Sequence, residues 1–208
     1  MRADLRTPPG RAGATWLRHR LAVAERGSDL LRQKLTMLVR DQDRLHRDRD
    51  LAAREWADTD RTARSLLSLA AALDGDRAVD VALDVPPLSV DPQWTTVMGV
   101  RYPTAPGVNL AVDPHPGRGP ALVLAVDAYR AAATAAARSA TATAAAAKVD
   151  AEVAAARQRV RALDRHWIPR LRTALATVNL QMAELETADT ARRTRAVTRD
   201  RRCPRDRR

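Results

Sequence analysis

The sequence contains no phenylalanine, and aromatic residues make up only 3% of its 208 positions. Large aromatic side chains supply much of the volume of a globular core, so their scarcity argues against a single bulky core. The only cysteine, Cys203, has no partner for an internal disulfide, which fits a reducing compartment. Glycine and proline are concentrated outside two long stretches rich in alanine, leucine and arginine. This composition favours long helices over a compact domain.

Long apolar runs are also missing. No stretch approaches the roughly 18 uninterrupted apolar residues of a transmembrane helix. The first eleven residues lack the apolar centre of a signal peptide. We therefore expect a cytoplasmic chain with no direct membrane insertion.

Groups suited to catalysis are scarce. His19, His46, His115 and His166 lack neighbours at the spacing of a zinc site, and we interpret them as solvated or packing residues. No glycine-rich loop ends in Lys-Ser or Lys-Thr, and no nucleophile has an adjacent base. We expect no catalytic residue, no metal site and no cofactor, and no catalysis by this chain alone.

The first long stretch, residues 13–73, keeps a 4–3 apolar spacing from Leu17 to Leu73 over eight heptads. Thirteen of the seventeen seam positions, those predicted to face a partner helix, are Leu, Ala or Trp. They include Leu17, Leu21, Ala24, Leu31, Leu35, Leu38, Leu45, Trp56 and Leu66. So strict a 3.5-residue repeat predicts a left-handed supercoil. The polar seam positions Ser28, Gln42, Arg49 and Thr59 would fix the register at some cost in stability.

A second helix is predicted over residues 121–190, running back along the first. Its seam is rich in alanine from Ala125 to Ala146 and continues at Val153, Val160, Leu163, Trp167, Leu171, Val178 and Leu185. At Trp167 the spacing becomes 4–4, a stutter that locally unwinds a supercoil, and Pro169 lies inside it. We predict a kink over residues 164–172 with helix on both sides. A break into two helices is the alternative.

The insertion between the helices, residues 74–120, is rich in proline and glycine. Within Ala78–Leu83 valine alternates with aspartate, as Val79-Asp80-Val81, and Gln93–Tyr102 is rich in Thr and Val. Both runs are typical of short strands. We predict a small β-hairpin that caps one end of the helices, followed by a loose loop at Asp113–Pro120.

The predicted fold class is therefore mostly α: a long antiparallel two-helix left-handed coiled coil with a small β-hairpin-containing insertion between the helices. If the chain reverses between Leu73 and Leu122, the numbers of facing residues sum to about 195. Trp167 would then face Gly27 and Ser28, and Trp56 would face Ser139.

The formal charge of +11 is carried by the two ends of the chain. Residues 1–20 have a net charge of +4 and residues 192–208 of +7, so the intervening stretch is neutral. We expect a flexible N-terminal segment over residues 1–12 and a basic tail over residues 191–208. In an antiparallel hairpin both lie at one tip. They are either solvated tails or a contact for an acidic protein or nucleic acid surface.

Three patches resemble the D subunit of the V-type and A-type rotary ATPases, a central-stalk protein. The first has Leu17, Leu21, Ala24, Gly27, Leu30, Leu31 and Lys34 at the family's spacing. The second, Met98-Gly99-Val100-Arg101-Tyr102-Pro103, is similar to the family's M-G-V-x-x-P. The third is Arg159-Val160-Arg161-Ala162-Leu163 followed by Ile168-Pro169-Arg170-Leu171, similar to R-V-N-A-L-E and I-P-x-L. Arg161 and Asp164 depart from the family's Asn and Glu.

The resemblance implies the central rotor shaft of a V/A-type ATPase, a non-catalytic subunit that couples ATP hydrolysis or synthesis to ion transport. Its implied partners are a ring of catalytic A and B subunits, the F subunit and a connector subunit to the membrane ring. The complex would be membrane-bound, with this chain peripheral and cytoplasmic. We expect partner contacts at Met98, Gly99, Val100, Arg101, Pro103, Arg11, Arg18, Arg192, Arg193 and Arg195.

Two alternatives belong to other classes of protein. One is a basic helical hairpin that binds nucleic acid through its arginine-rich tip, by salt-dependent contacts to phosphates. Against it, no aromatic residues are interleaved with the arginines of the tail to stack on bases. The other is a coiled-coil adaptor. We expect a rotor subunit that binds no nucleic acid.

Overall fold

The computed structural model describes residues 8–82, 89–109 and 119–202. In chain order the elements are α1 (Gly10–Asp74), α2 (Asp76–Ala82), β1 (Ser89–Val97), β2 (Val100–Asn109), α3 (Pro120–Ala162), a π-helical turn (Leu163–Trp167) and α4 (Ile168–Arg202). Two long helical arms with a β-hairpin inserted between them confirm the predicted fold class. Among the described residues, no helix is long and apolar enough to cross a membrane.

The helix α1 runs through 65 residues because no proline interrupts it. Its end is set by Gly75, whose φ of 83° lies in the left-handed region that glycine adopts easily. The Gly75 N–H donates to the Ala71 carbonyl at 3.1 Å, as in a helix ending with a left-handed residue. The observed helix begins three residues earlier and ends one residue later than predicted.

The described chain divides into two compact units, each containing part of α1 and part of the returning helical arm. Unit 1 comprises residues 8–33 and 157–202. Its core contains Leu17, Ala24, Ile168 and Leu171, with Trp16, Leu21, Leu163, Ala174, Leu175 and Val178 packed around them. Three pairs cross between its helices: Arg11 with Glu186, Arg18 with Asn179 and Glu25 with Arg172. Each pair of numbers sums to 197, which confirms the antiparallel register.

Unit 2 comprises residues 34–82, 89–109 and 119–156. One of its clusters lies where the helices reverse, with Ala70, Ala121, Leu122 and Ala125 buried and Leu66, Ala78 and Val79 packed against them. The predicted strand at Ala78–Leu83 is wrong over residues 78–82, which belong to α2. There the Ala78 and Val79 N–H groups donate to the Gly75 carbonyl, and both side chains pack on the cluster. Leu83 lies outside the described residues.

The two helices of unit 2 are also joined directly at their reversal. The Asp74 carboxylate, on the last residue of α1, accepts the N–H of Leu122 at 2.9 Å. Leu122 is in the first turn of α3, where backbone N–H groups have no partner within the helix. A Cβ on the preceding Gly119 would collide with this carboxylate. Of the predicted loop at Asp113–Pro120, residues 113–118 lie outside the described part, and Pro120 begins α3.

The predicted hairpin is present as β1 and β2, paired antiparallel with Val97 opposite Val100. Met98 and Gly99 form its turn, with φ of 51° and 79°. Two consecutive left-handed residues are the geometry of a two-residue hairpin turn. Trp94 pairs with Pro103 after Gln93 pairs with Ala105, so Thr104 is the extra residue of a β-bulge.

The hairpin does not cap the end of the helices as predicted. Tyr102 is 2% exposed and lies in a cluster with Leu38, Leu45, Ala145, Ala146, Val149 and Val153. Val97 and Val100 pack against the same cluster. Leu45 is about 45 Å along α1 from its last residue, at about 1.5 Å per residue. The hairpin therefore lies alongside the helices, because its apolar inner face is buried there.

The helix does not break at Pro169. The Ile168 N–H donates to the Leu163 carbonyl, five residues back, and α4 follows without a non-helical residue. A π turn holds one residue more than an α-helical turn, so it absorbs the change of spacing just before the proline. The alternative of two separate helices is wrong.

The ends of the chain also differ from the predicted segments. The second helix, predicted to end at residue 190, continues as α4 through residues 191–202 of the basic tail. At the other end, α1 begins at Gly10, inside the segment 1–12 that had been predicted as flexible. Residues 1–7 and 203–208, including Cys203, lie outside the described part of the chain.

Candidate functional site

In unit 1, a cluster of hydrogen-bonded polar side chains lies at the π turn. Asp164, within that turn, accepts a hydrogen bond from the Ser28 hydroxyl at 2.7 Å. Its other carboxylate oxygen accepts from the Arg32 guanidinium at 2.6 Å. Ser28 is 1% exposed, so its hydroxyl is satisfied inside the core. We call Ser28, Arg32 and Asp164 the Asp164 clasp.

The Asp164 clasp changes the acidity of its members. The hydrogen bonds from Ser28 and Arg32 lower the pKa of Asp164 below its ordinary value. The hydrogen bond to Asp164, together with its charge, raises the pKa of Arg32. Donors that stabilise an ionised carboxylate favour its charged form. The clasp is therefore an ionised, hydrogen-bonded link between α1 and the π turn.

A groove of about 400 Å³ opens over the clasp. It is lined by Glu25, Ser28, Asp29, Arg32, Asp164, Ile168 and Arg172. Its charged side chains are paired, since Arg172 pairs with Glu25 at 2.6 Å and Arg32 pairs with both Asp29 at 2.9 Å and Asp164 at 2.6 Å. Across the described ranges, no group of three His, Cys, Asp or Glu side chains could hold a metal ion. The pairs of Arg32 with Asp164 and of Glu25 with Arg172 link α1 to the returning helical arm along this groove.

A second polar link lies in unit 2, around Asp150. Its carboxylate accepts from the Gln42 amide at 2.6 Å and lies 2.9 Å from Nε2 of His46. Burial acts to raise the pKa of Asp150, but the hydrogen bonds from Gln42 and His46 outweigh it and lower that pKa. His46, predicted to be a solvated or packing residue, thus connects the two helices. Lys34 and Glu152 form a further pair at 2.9 Å.

The hairpin is attached to α1 through Tyr102. Its hydroxyl accepts a hydrogen bond from the Arg44 guanidinium at 3.2 Å, beside the buried ring. On the outer face, the Arg101 guanidinium lies 5.0 Å from the centre of the Trp94 ring, a cation–π contact. Trp94 and Met98 are 49% and 46% exposed, so this outer face remains available to a partner.

The predicted seam residues mostly lie between the helices. The buried ones are Leu17, Ala24, Leu38, Leu45, Val153 and Leu171. The half-buried ones are Leu21, Leu31, Leu35, Leu66, Val160, Leu163 and Val178. Of the polar seam positions, Ser28 and Gln42 bond across to the other helix. Arg49 bonds to Asp50, and Thr59 to backbone carbonyls of its own helix.

Four predicted seam residues are exposed: Trp56 at 45%, Leu73 at 69%, Trp167 at 37% and Leu185 at 64%. At Trp167 the π turn brings Ile168 into the core instead. Leu185 faces the first residues of α1, where little of the partner helix is present to cover it. Trp56 lies in the alanine-rich part of the pair, where its neighbour Glu55 pairs with Arg138 of α3.

The predicted contact of Trp167 with Gly27 is also wrong. A Cβ added to Gly27 would meet no heavy atom within 4 Å, so no ring fills that position.

The predicted partner residues fall into two groups. Exposed ones are Met98, Gly99, Arg101, Arg11, Arg18, Arg192, Arg193 and Arg195. Arg192 pairs with Asp189 of its own helix. Val100 and Pro103 are not free for a partner, because Val100 packs on the Tyr102 cluster and Pro103 is buried.

Three acidic residues join the helices: Asp164, Asp150 and Asp74. The sequence drew attention to Asp164 only as a departure from the family's Glu, and to the other two not at all. Two of them immediately follow the seam residues Leu163 and Val149. A sequence signal could have identified Asp164 and Asp150: an acidic residue next to a seam position, with a polar seam residue on the facing helix.

The family model for the D subunit of ATP synthase matches residues 14–197, which include both helical arms and the insertion. A search of curated proteins finds no match to this chain.

Proposed function

Since this chain belongs to the family of the ATP synthase D subunit, we propose that it is the central rotor shaft of a V/A-type ATPase. Membership of that family makes it a stalk subunit of a rotary ATPase. In the proposed role it mechanically couples ATP hydrolysis or synthesis in a catalytic ring to ion movement through a membrane ring. The observation that carries the proposal is the family match over both helical arms.

The contacts within each unit support a mechanical role. Side chains bond across the helix pair at intervals, as at Arg18 with Asn179, Ser28 with Asp164 and Gln42 with Asp150. Such bonds oppose sliding of one helix along the other, since a shift of one residue would separate every pair. A shaft that transmits torque needs this resistance.

The proposed partners are the catalytic A and B subunits, the F subunit and a connector to the membrane ring. The basic end of α4 and the start of α1 would enter the A/B ring, with Arg192, Arg193 and Arg195 exposed there. The opposite end would point towards the membrane, and the chain would remain peripheral to it. Catalysis would belong to the ring, and this chain would hydrolyse no ATP by itself.

Co-purification tests the proposal. The tagged full chain, produced with its neighbouring subunits, is expected to bring down A, B and F subunits and to restore ATP-driven ion transport. Replacing Arg192, Arg193 and Arg195 together by Gln should weaken retention of the A/B ring while leaving F binding in place. A matched control replaces the exposed Arg47, Arg54 and Arg61 of α1, removing the same charge elsewhere.

The rotor proposal fails if the tagged chain recovers no A or B subunit, or if both arginine triples have the same effect on the ring. Recovery of nucleic acid that is lost at high salt, and lost in the α4 triple variant, would favour the nucleic-acid alternative instead. ATP turnover by the purified chain, persisting after contaminating ATPases are removed, would contradict its non-catalytic role.

A further inference from the structure

The seam of unit 1 contains a five-residue step at the π turn. Leu163 is half-buried and packs against the core, and the next buried residue is Ile168, at 7% exposure. The hydrogen bond from the Ile168 N–H to the Leu163 carbonyl spans the same five residues. The residue by which this step exceeds the usual four-residue step is therefore accommodated within the single π turn.

The same sequence contains a second apolar path through this region. Steps of four residues lead from Leu163 to Trp167, from Trp167 to Leu171 and from Leu171 to Leu175. A stutter of this kind spreads the extra residue over several turns of ordinary helix. Both paths start at Leu163 and rejoin at Leu171, so they differ only in whether Trp167 or Ile168 faces the core.

Because Trp167 is partly exposed, its side chain is available to take the core position that this second spacing gives it. Trp167 is 37% exposed, although a tryptophan side chain gains more from burial than an isoleucine side chain. Something must therefore hold the π turn in place. Within the Asp164 clasp, Asp164 lies inside the turn and accepts hydrogen bonds from Ser28 and Arg32 of α1, at 2.7 and 2.6 Å.

We propose that the π turn is one state of a two-state joint, in which Trp167 and Ile168 exchange places in the core, and that the Asp164 clasp holds the π state. The exchange changes the local twist of the arm without moving the residues beyond Leu171 out of register. Its use in a shaft, as a point that yields under torque, rests on the proposed function. The exchange itself is a property of the isolated chain.

Tryptophan fluorescence tests the exchange directly. The full chain is prepared with Trp16, Trp56 and Trp94 replaced by Phe, leaving Trp167 as the single reporter. Replacing Asp164 by Ala in this background should shift the emission to shorter wavelength and reduce quenching by iodide, because the ring enters the core. Asp164→Asn retains an acceptor oxygen and should give an intermediate shift.

A matched control is Glu25→Ala, which removes the Glu25–Arg172 pair between the same helices without touching the π turn. It should leave the Trp167 emission unchanged. Ile168→Ala is a second way to favour the exchange. Alanine loses less apolar burial than isoleucine when residue 168 leaves the core and Trp167 enters it. This variant should shift the emission in the same direction as Asp164→Ala.

Far-UV circular dichroism shows whether each variant keeps its helices. If Asp164→Ala does not fold, the Ile168→Ala result decides. The joint is overturned if folded variants leave the emission unchanged or move it to longer wavelength, or if Glu25→Ala shifts it equally. Failure of the chain to recover A and B subunits would instead overturn the rotor function and leave the fluorescence result standing.

Discussion

The two units hold their helices together in different ways. In unit 1 large aliphatic side chains fill the space between α1 and α4, with Leu17 and Leu171 both at 0% exposure. In unit 2 the returning helix contributes mainly alanine, as at Ala132, Ala135 and Ala146, and the hairpin adds a third layer over part of the pair. In unit 1 large side chains make the contact between the helices, whereas in unit 2 the returning helix contributes small side chains and the hairpin covers part of the pair.

The comparison shows that a regular heptad pattern does not imply uniform packing. Truncating a large buried side chain leaves a cavity, whereas enlarging a small one forces helices apart. Unit 1 should therefore be sensitive to loss of volume and unit 2 to gain of volume. Variants of opposite kind separate these two expectations.

The largest effect is expected from Leu171→Ala in unit 1. Because this side chain is fully buried, the substitution should lower the free energy of unfolding by about 2–5 kcal/mol. Urea denaturation followed by circular dichroism measures it. Leu180→Ala, at a residue 61% exposed on the same helix, is the control and should change stability by less than about 0.5 kcal/mol. Equal effects at the two positions would contradict the unit 1 core.

Overpacking is the corresponding test of unit 2. Ala146 is 1% exposed beside Leu38 and Val149, so Ala146→Leu should cost about 1–3 kcal/mol of stability. The neighbouring exposed Ala147, changed to Leu, is the matched control and should be tolerated. If Ala146→Leu stabilises the chain in urea, the helices of unit 2 are not closely packed there.

The third layer of unit 2 is tested by Tyr102→Phe. The variant keeps the buried ring and removes only the acceptor of the Arg44 hydrogen bond, so the loss should be about 0.5–1.5 kcal/mol. Hydrogen exchange should show faster opening in β2 and little change in unit 1. Tyr129→Phe, at an exposed tyrosine of α3, should have no such effect. Faster exchange throughout unit 1 would show that the hairpin stabilises more than its own unit.

Replacing a glycine by alanine should raise stability in unit 1 and lower it in unit 2, because the space around the two glycines differs. Gly27 in unit 1 lies within a helix and its Cβ position is open, so Gly27→Ala should stabilise by about 0.5–1 kcal/mol. In unit 2 a Cβ on Gly107 would collide with the Asp91 carbonyl, so Gly107→Ala should destabilise the hairpin. Thermal melting of the two variants measures both. A loss of stability in Gly27→Ala would restore the predicted contact of a ring with Gly27.

The smallest effect is a weakening of both units in acid. The pKa values of Asp164 and Asp150 are lowered in the folded chain, so unfolding raises their affinity for protons. Their contribution is complete above the ordinary aspartate pKa, about 4, and is lost as the pH falls through the lowered values. In Asp150→Asn and Asp164→Asn the melting temperature should therefore fall less than in the parent chain between about pH 6 and about pH 3. An unchanged pH profile in both variants would contradict the ionised links.

The helical arms could be predicted from the sequence because their packing is periodic. Leu17, Leu38 and Leu45 follow a repeat that any partner helix would bury, and the Val97–Val100 turn contains a glycine that favours a hairpin. The position of the hairpin could not be predicted, because the burial of Tyr102 against Leu38 and Val149 is a long-range contact without periodic signal. The choice between Trp167 and Ile168 depends on the carboxylate of Asp164, whose partners lie more than a hundred residues away.

The carboxylate of Asp74 has a consequence for how the chain is put together. It completes the first turn of α3 from the last residue of α1, so the points where the insertion leaves and rejoins the helices are tied without using the insertion itself. A Cβ on Gly119 would collide with the carboxylate, so a larger residue there would have to displace the Asp74 side chain. The hydrogen bond between Leu122 and Asp74 does not involve residues 76–118. A short linker in place of those residues would leave the ends of the two helices joined by Asp74 and Leu122.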